Sequence, residues 1–227
     1  MKKLVVLTGA GMSSESGIRT FRDSGGLWEE YDVTEVATPM AWWKNQELVL
    51  RFYNERRKQL ADCKPNGGHT GLAELEKYFD VRIITQNIDN LHEQAGSTSV
   101  LHLHGELTKA RSTIDQSLIY DIGYRDINAG DNCEKGSQLR PHIVWFGEAV
   151  PMMGEAIRIT AEADIFVVVG SSLNVYPAAG LVGYAPAAAS LWLIDPKDVS
   201  IPVNRKVEVI KEKASAGVAI LGRMLGK

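Results

Sequence analysis

Apolar, β-branched runs recur along the chain, at Leu4 to Leu7, Val81 to Thr85, Val100 to His104, Ile143 to Trp145, Ile165 to Val169, Leu191 to Ile194 and Val207 to Ile210. Several are apolar at consecutive positions, the pattern of strands buried on both faces of a parallel sheet. Between them the apolar positions take a helical period over Asn45 to Leu60, His69 to Tyr78, Gly154 to Ala163, Ala178 to Ala185 and Ser215 to Leu225. This alternation predicts an α/β fold built on a Rossmann-like, doubly wound parallel sheet. Two stretches break the rhythm. About 29–65 reads as helical, Trp42 and Trp43 included, with no strand in it. About 109–140, with the polar run DINAGDNCEKGSQ, is turn-rich with a weak strand signal near Leu118 to Tyr120. Both are expected to form a smaller lobe inserted into one domain spanning 1–227, whose large lobe is about 1–28, 66–108 and 141–227.

A chain of 227 residues can bury a substantial core. Its formal net charge of -3 offers no basic surface to nucleic acid or an anionic membrane, so neither is expected as a partner. Neither a signal-type apolar core after Met1-Lys2-Lys3 nor a membrane-length apolar run is present, which predicts a cytoplasmic location. Cys63 and Cys133 form no CxxC pair, cannot supply a four-thiolate zinc site, and read as reduced thiols. The sequence leaves the oligomeric state open, with a monomer as the simplest reading.

Five segments carry candidate chemistry. TGAGMSSESG (8–17) follows the first strand; Gly9 and Gly11 begin like a dinucleotide fingerprint, but position 14 is serine, so the full pattern fails. Ser13 and Ser14 are placed to cap a following helix whose free N–H groups can receive a pyrophosphate. GIRTFRDSGGLW offers Arg19 and Arg22 beside a Gly-Gly turn, either a loop that folds over a phosphate or an ordinary basic surface loop. TQNIDNLH sets Gln86, Asn87, Asp89 and Asn90 at the carboxyl end of a buried strand, where ligands bind in open α/β sheets; a capped helix start, with Asn87 or Asp89 as the cap, reads nearly as well. LHLHGE puts His102 and His104 on one strand face; without further ligands a metal site is disfavoured, and a general base is the better functional reading. VVVGSSLNVYPAAG supplies a second strand-to-Gly-Ser loop.

Taken together, GAGMSSESGIRTFR, TQNIDNLH, HGE, VWFGE and GSSLNVYPAA, in this order and over nearly the whole chain, resemble the sirtuin family of NAD-dependent protein deacylases. The resemblance implies a single sirtuin-type catalytic domain that consumes NAD as a co-substrate. It places Gly9, Ala10, Gly11 and Ser13 along the diphosphate, Arg22 and Trp28 on the cofactor loop and Gln86 at the ribose. Asn87, Ile88 and Asp89 would form the nicotinamide pocket, and Gly170, Ser171, Ser172, Asn174 and Ala214 would hold the adenosine half. His104 is implied as the base, with Asn87 beside it in the catalytic set. The implied route has the acyl oxygen of a modified lysine attack the ribose as nicotinamide leaves, and the base then drives a ribose hydroxyl onto the resulting alkylimidate; lysine and O-acyl-ADP-ribose follow. Val144, Trp145, Phe146 and Gly147 would pair with and flank an acyl-lysine peptide.

Tyr53 and Arg56, three apart on one helix face in RFYNERRKQL, resemble the branch of the family that grips an acyl carboxylate, which implies removal of succinyl and malonyl groups as well as acetyl. Most relatives carry four zinc cysteines between about 109 and 140. Here Cys133 stands alone and Ser112 occupies the first position, so no structural zinc and no metal ligand are expected, and the order of the lobe becomes a question for the structure. The same NAD cleavage with a protein acceptor, ADP-ribosyl transfer, and a non-catalytic NAD or ADP-ribose sensor are the alternatives; the presence of His104, Asn87 and Asp89 speaks against an inactive chain.

Overall fold

A computed structural model describes residues 1–18, 32–201 and 203–227. Its larger sheet has six strands in the order β3-β2-β1-β7-β8-β9, all paired in parallel. These are β1 (Lys3–Thr8), β2 (Asp80–Thr85), β3 (Val100–His102), β7 (Ile165–Val169), β8 (Ser190–Ile194) and β9 (Glu208–Ile210). The central strand β7 is apolar throughout and β1 from Leu4 to Leu7, because both their faces are covered. Leu4 and Val6 pack into one core layer with α5 (Gly67–Leu75) and α8 (Ala214–Met224). Val5 and Leu7 pack into the other, with α7 (Met153–Ala161) and the segment Ala178–Tyr184. That segment winds as a 3-10 helix where an α-helix is expected; Gly180 and Gly183 leave little intrinsic α-preference to resist the tighter winding.

The strand expected over Val100 to His104 divides. It pairs with β2 only through His102, bends at Leu103 and His104, and re-emerges as β4 (Gly105–Ser112) in a second sheet. Gly105 makes the turn at φ 80°, and a Cβ there would lie 1.9 Å from the His142 carbonyl oxygen. The second sheet is antiparallel, β5-β4-β6, with β5 at Ile119–Asp121 and β6 at Leu139–Ile143. It begins at Gly105 and ends at Ile143, so 105–108 and 141–143 belong to the smaller sheet although the sequence pattern groups them with the large lobe. The run predicted as a strand from Ile143 to Trp145 is only the end of β6.

Among the described residues three helices complete the smaller lobe: α2 (Val33–Val36), α3 (Pro39–Lys44) and α4 (Gln46–Ala61). Thr38 caps α3 by accepting from the Ala41 N–H, with Pro39 in the first turn, and Asn45 caps α4 by accepting from Leu48. Val49, Phe52, Tyr53 and Leu60 of α4 join Trp42, Ala110, Ile127, Ile143 and Trp145 in a third core. The lobe thus has its own packed interior.

Candidate active site

The sheet changes winding direction between β1 and β7: from β1 the chain moves outward to β2 and β3, and from β7 outward to β8 and β9. Ligands of doubly wound sheets bind at such a switch point, beyond the carboxyl ends of the strands. Both glycine loops lie there, locked together by backbone bonds from Gly9 N–H to Val169 O (3.0 Å) and from Gly11 N–H to Gly170 O (2.9 Å). A cleft of about 780 Å³ opens over them and runs to the smaller lobe.

Every described residue that the family resemblance assigns to a site lines this cleft, whereas Asn90 and His102, singled out from the sequence alone, do not. Gly9, Ala10, Gly11 and Ser13 come from the β1 loop; Gln86, Asn87, Ile88 and Asp89 from the end of β2; His104 from the β3–β4 bend. Gly170, Ser171, Ser172 and Asn174 follow β7, and Ala214 opens α8. Tyr53 and Arg56 come from α4, and Val144, Trp145, Phe146 and Gly147 from the turn after β6. Arg19, Arg22 and Trp28 lie outside the described residues.

The segment after β2 is fixed from behind by three successive carbonyls. Gln86 O accepts from His104 Nδ1 (3.0 Å), Asn87 O from His102 Nδ1 (3.2 Å) and Ile88 O from the Leu107 N–H (2.8 Å). Because a carbonyl only accepts, Nδ1 of His104 carries the proton and Nε2 keeps its lone pair. Burial pushes this imidazole below its ordinary value, with the Gln86 bond opposing, so near neutral pH the ring is uncharged and suited to accept a proton. His102 differs. Burial disfavours its charge, but the bond and charge of Glu93 (2.8 Å) and the nearby Glu106 (3.5 Å) outweigh that and raise it. His102 is absent from the cleft lining, so the two histidines, read as sharing a strand face, are parted by the bend.

Side chains of this segment bind the glycine loop. Asn87 Nδ2 donates to Gly9 O and Ser13 Oγ, both at 3.0 Å, and Ser13 Oγ donates to Asp89 Oδ2 at 2.9 Å. Ser13 therefore does not cap a following helix, nor does Ser14. Ser13 ends the short helix α1 (Ala10–Ser13), capped in position by Gly9, and Ser14 Oγ donates back to Gly11 O (2.9 Å). Asn87 is likewise no cap: Asn90 precedes α6 (Leu91–Gln94), while Asp89 Oδ1 accepts from the Leu91 N–H at 3.2 Å. Burial pushes the Asp89 carboxyl up, opposed by its bonds to Ser13 and Leu91. Gln86 Nε2 donates to Ser171 Oγ (3.0 Å), joining the β2 and β7 loops.

Several contributors escape the sequence reading. Thr8 and Thr85 pair their hydroxyls at 2.8 Å below the cleft, with His92 Nε2 3.2 Å from Thr8 Oγ1, and burial keeps His92 uncharged. Asp195 to Ser200 and Lys213 also line the cleft. A signal existed for Asp195, which follows β8 at the same carboxyl edge that drew attention to the loops after β1, β2 and β7. Cys133 Sγ lies 3.4 Å from Ser112 Oγ and 3.3 Å from Ser137 Oγ, and the two hydroxyls are 2.9 Å apart. Among the described residues no helix is long and apolar enough to cross a membrane.

Residues 9–177 match the model of the Sir2 family. The chain is 55% identical over 233 residues to an NAD-dependent protein deacylase of Bacteroides thetaiotaomicron, covering 99% of this chain and 98% of that protein. It is 53% identical over 214 residues to an NAD-dependent protein deacylase of Helicobacter pylori, covering 94% and 93%. A Sir2 homologue solved with NAD superposes with a TM-score of 0.89 at 38% identity, over 99% of this chain and 90% of that one. A Sir2 variant solved with a deacetylated p53 peptide and 3'-O-acetyl-ADP-ribose superposes with a TM-score of 0.84 at 30% identity, over 98% and 93%.

Proposed function

From the premise that this chain belongs to the Sir2 family, we propose that it acts as an NAD-dependent protein-lysine deacylase whose substrates include lysines carrying acidic acyl groups. The observation that carries the reading is His104: Nδ1 is tied to Gln86 O, and Nε2 has no protein partner among the described residues of a cleft that holds both glycine loops. The cleft suits NAD. It crosses the switch point, is long enough to reach from the β8 end to the smaller lobe, and presents hydroxyl, amide and carboxylate groups to a sugar-phosphate.

NAD, consumed as co-substrate, supplies an electrophilic ribose carbon with nicotinamide as leaving group. Gly9, Ala10, Gly11 and Ser13 line the diphosphate path, and Gly170, Ser171, Ser172, Asn174 and Ala214 the adenosine end. Gln86, braced on Ser171, faces the ribose. Asn87, Ile88 and Asp89 form the nicotinamide wall, held by hydrogen bonds to the Asn87 and Ile88 carbonyls and from the Asn87 and Asp89 side chains to the glycine loop. His104 accepts the ribose hydroxyl proton at Nε2. Val144, Phe146 and Gly147 border the peptide's path, with Phe146 exposed. Trp145, expected to flank the peptide as well, is 2% exposed and lies at the cleft floor.

At the smaller-lobe end, Tyr53 and Arg56 both face the cleft. Burial pushes the Tyr53 phenol up, so it stays a hydroxyl donor at any physiological pH. A donor beside a guanidinium matches the carboxylate of a succinyl or malonyl chain. We read the smaller lobe as held by its apolar core and the Ser112–Cys133–Ser137 hydrogen bonds, without zinc, and the location as cytoplasmic.

The test is nicotinamide release from NAD with acetyl-lysine and succinyl-lysine peptides. Both should turn over, and His104→Ala should lower the rate by about 10²-fold or more. Tyr53→Phe with Arg56→Met should depress desuccinylation far more than deacetylation. Release no greater than the His104→Ala background sinks the deacylase reading; equal losses on the two peptides sink the carboxylate grip.

A further inference from the structure

The Tyr53 hydroxyl has a single protein partner among the described residues: the indole Nε1 of Trp145, at 3.0 Å. An indole N–H only donates, so the phenol oxygen must accept there. Its own proton then lacks a protein acceptor among the described residues, although Tyr53 is only 3% exposed. The direction left open to that proton is the cleft, which Arg56 also lines. A hydroxyl without the indole could turn either way; with it, the oxygen is committed as acceptor on one side and donor on the other.

Trp145 is in turn firmly held. Arg140 lies over its ring, with Cζ 3.3 Å from the centroid, and Trp42 packs at 5.7 Å between centroids. The Trp145 backbone N–H donates to Glu148 Oε2 at 2.8 Å. Glu148 is clamped by Arg140 through Nη1 (2.7 Å) and Nη2 (3.1 Å), and Arg140 Nη2 also donates to Ile143 O at 2.9 Å. Arg111 of β4 adds a further bond to Glu148 at 3.2 Å.

We propose that Trp145 is a specificity-positioning residue, which fixes the Tyr53 hydroxyl as a donor toward an acyl carboxylate and is itself held by the Arg140–Glu148 pair. This rests on the acidic-acyl reading above. It gives the smaller sheet a part in substrate choice: β4 and β6 supply the arginines that hold Glu148, Glu148 holds Trp145, and Trp145 sets the proton of Tyr53. An acetyl group has no acceptor at that position and does not sense the arrangement.

The experiment compares kcat and KM on succinyl-lysine and acetyl-lysine peptides for wild type, Trp145→Phe, Tyr53→Phe and the double variant. Phenylalanine keeps an aromatic ring under Arg140 and removes the N–H together with part of the indole's buried bulk, a loss of packing that both peptides would feel alike. Trp145→Phe should raise KM for the succinyl peptide about fivefold to tenfold more than it raises KM for the acetyl peptide, the size of one hydrogen bond to a charged group, with kcat shifting alike on the two peptides. The double variant should be no worse than Tyr53→Phe alone, because the indole acts through that hydroxyl. Equal effects on the two peptides, or additive losses in the double variant, overturn the proposal. Should Trp145→Phe fail to fold, Glu148→Gln, which keeps both aromatic side chains, takes its place; a selective rise in succinyl KM supports the proposal and an unselective one overturns it. The acidic-acyl reading fails separately, when Tyr53→Phe itself shows no preference between the peptides.

Discussion

Gly170 is where the two nucleotide loops touch, and replacing it with alanine tests whether that contact sets the cleft. Its φ is 60°, a conformation that costs an L-residue about 1 kcal/mol or more. A Cβ there would lie 2.4 Å from Met12 N and 2.5 Å from the Gly11 carbonyl carbon, both backbone atoms, where ordinary contact begins at 3.4 Å. The loops must therefore part by roughly 1 Å, a misplacement on the scale that costs about 10²-fold in rate when it reaches reacting groups. Parting also strains the 2.9 Å bond from Gly11 N–H to Gly170 O, worth about 1 kcal/mol. Strain and lost bond together come to about 2–3 kcal/mol, or a fall in Tm of roughly 4–12 °C for a chain of this size. Calorimetry, with an NAD titration of nicotinamide release, should find Gly170→Ala folded but less stable, with kcat/KM for NAD down by about 10²-fold. Gly183→Ala, where nothing lies within 4 Å of the added carbon, is the control and should match wild type in NAD kinetics. Gly170→Ala with wild-type NAD kinetics would refute the argument that close apposition of the loops builds the site.

Two further outcomes follow from buried polar groups. Asn87→Asp replaces an amide that donates to Gly9 O and Ser13 Oγ with a carboxylate facing a carbonyl and near Asp89, so it should melt lower than Asn87→Ala; equal melting temperatures would show that those two bonds do not hold the loop. Burial alone would raise Glu148, but the bonds from Arg140 and the Trp145 N–H, with the charges of Arg140 and Arg111, hold it below its ordinary 4.5. A carboxyl depressed on folding contributes stability above its unfolded value that is lost as pH falls through its folded value. Tm should therefore drop as pH is lowered below about 4.5, less steeply for Glu148→Gln, and parallel slopes would remove Glu148 from the account.

The consecutive apolar positions of β1 and β7 declared a parallel sheet covered on both faces, because such runs cannot face water, and the helical period over Asn45 to Leu60 marked α4. The glycine and serine loops were visible for the same local reason: they follow strands. Pairings were decided elsewhere. That β3 stops at His102 depends on the room Gly105 finds against the His142 carbonyl, a contact between segments far apart in the chain. That Ser13 serves Asn87 and Asp89, rather than capping a helix, depends on β1 and β2 being neighbours. And that Trp145 turns inward onto Tyr53 depends on Arg140, Glu148 and Trp42 enclosing it. Periodicity reports which side of an element meets the interior; which partner waits there is settled by how the elements pack.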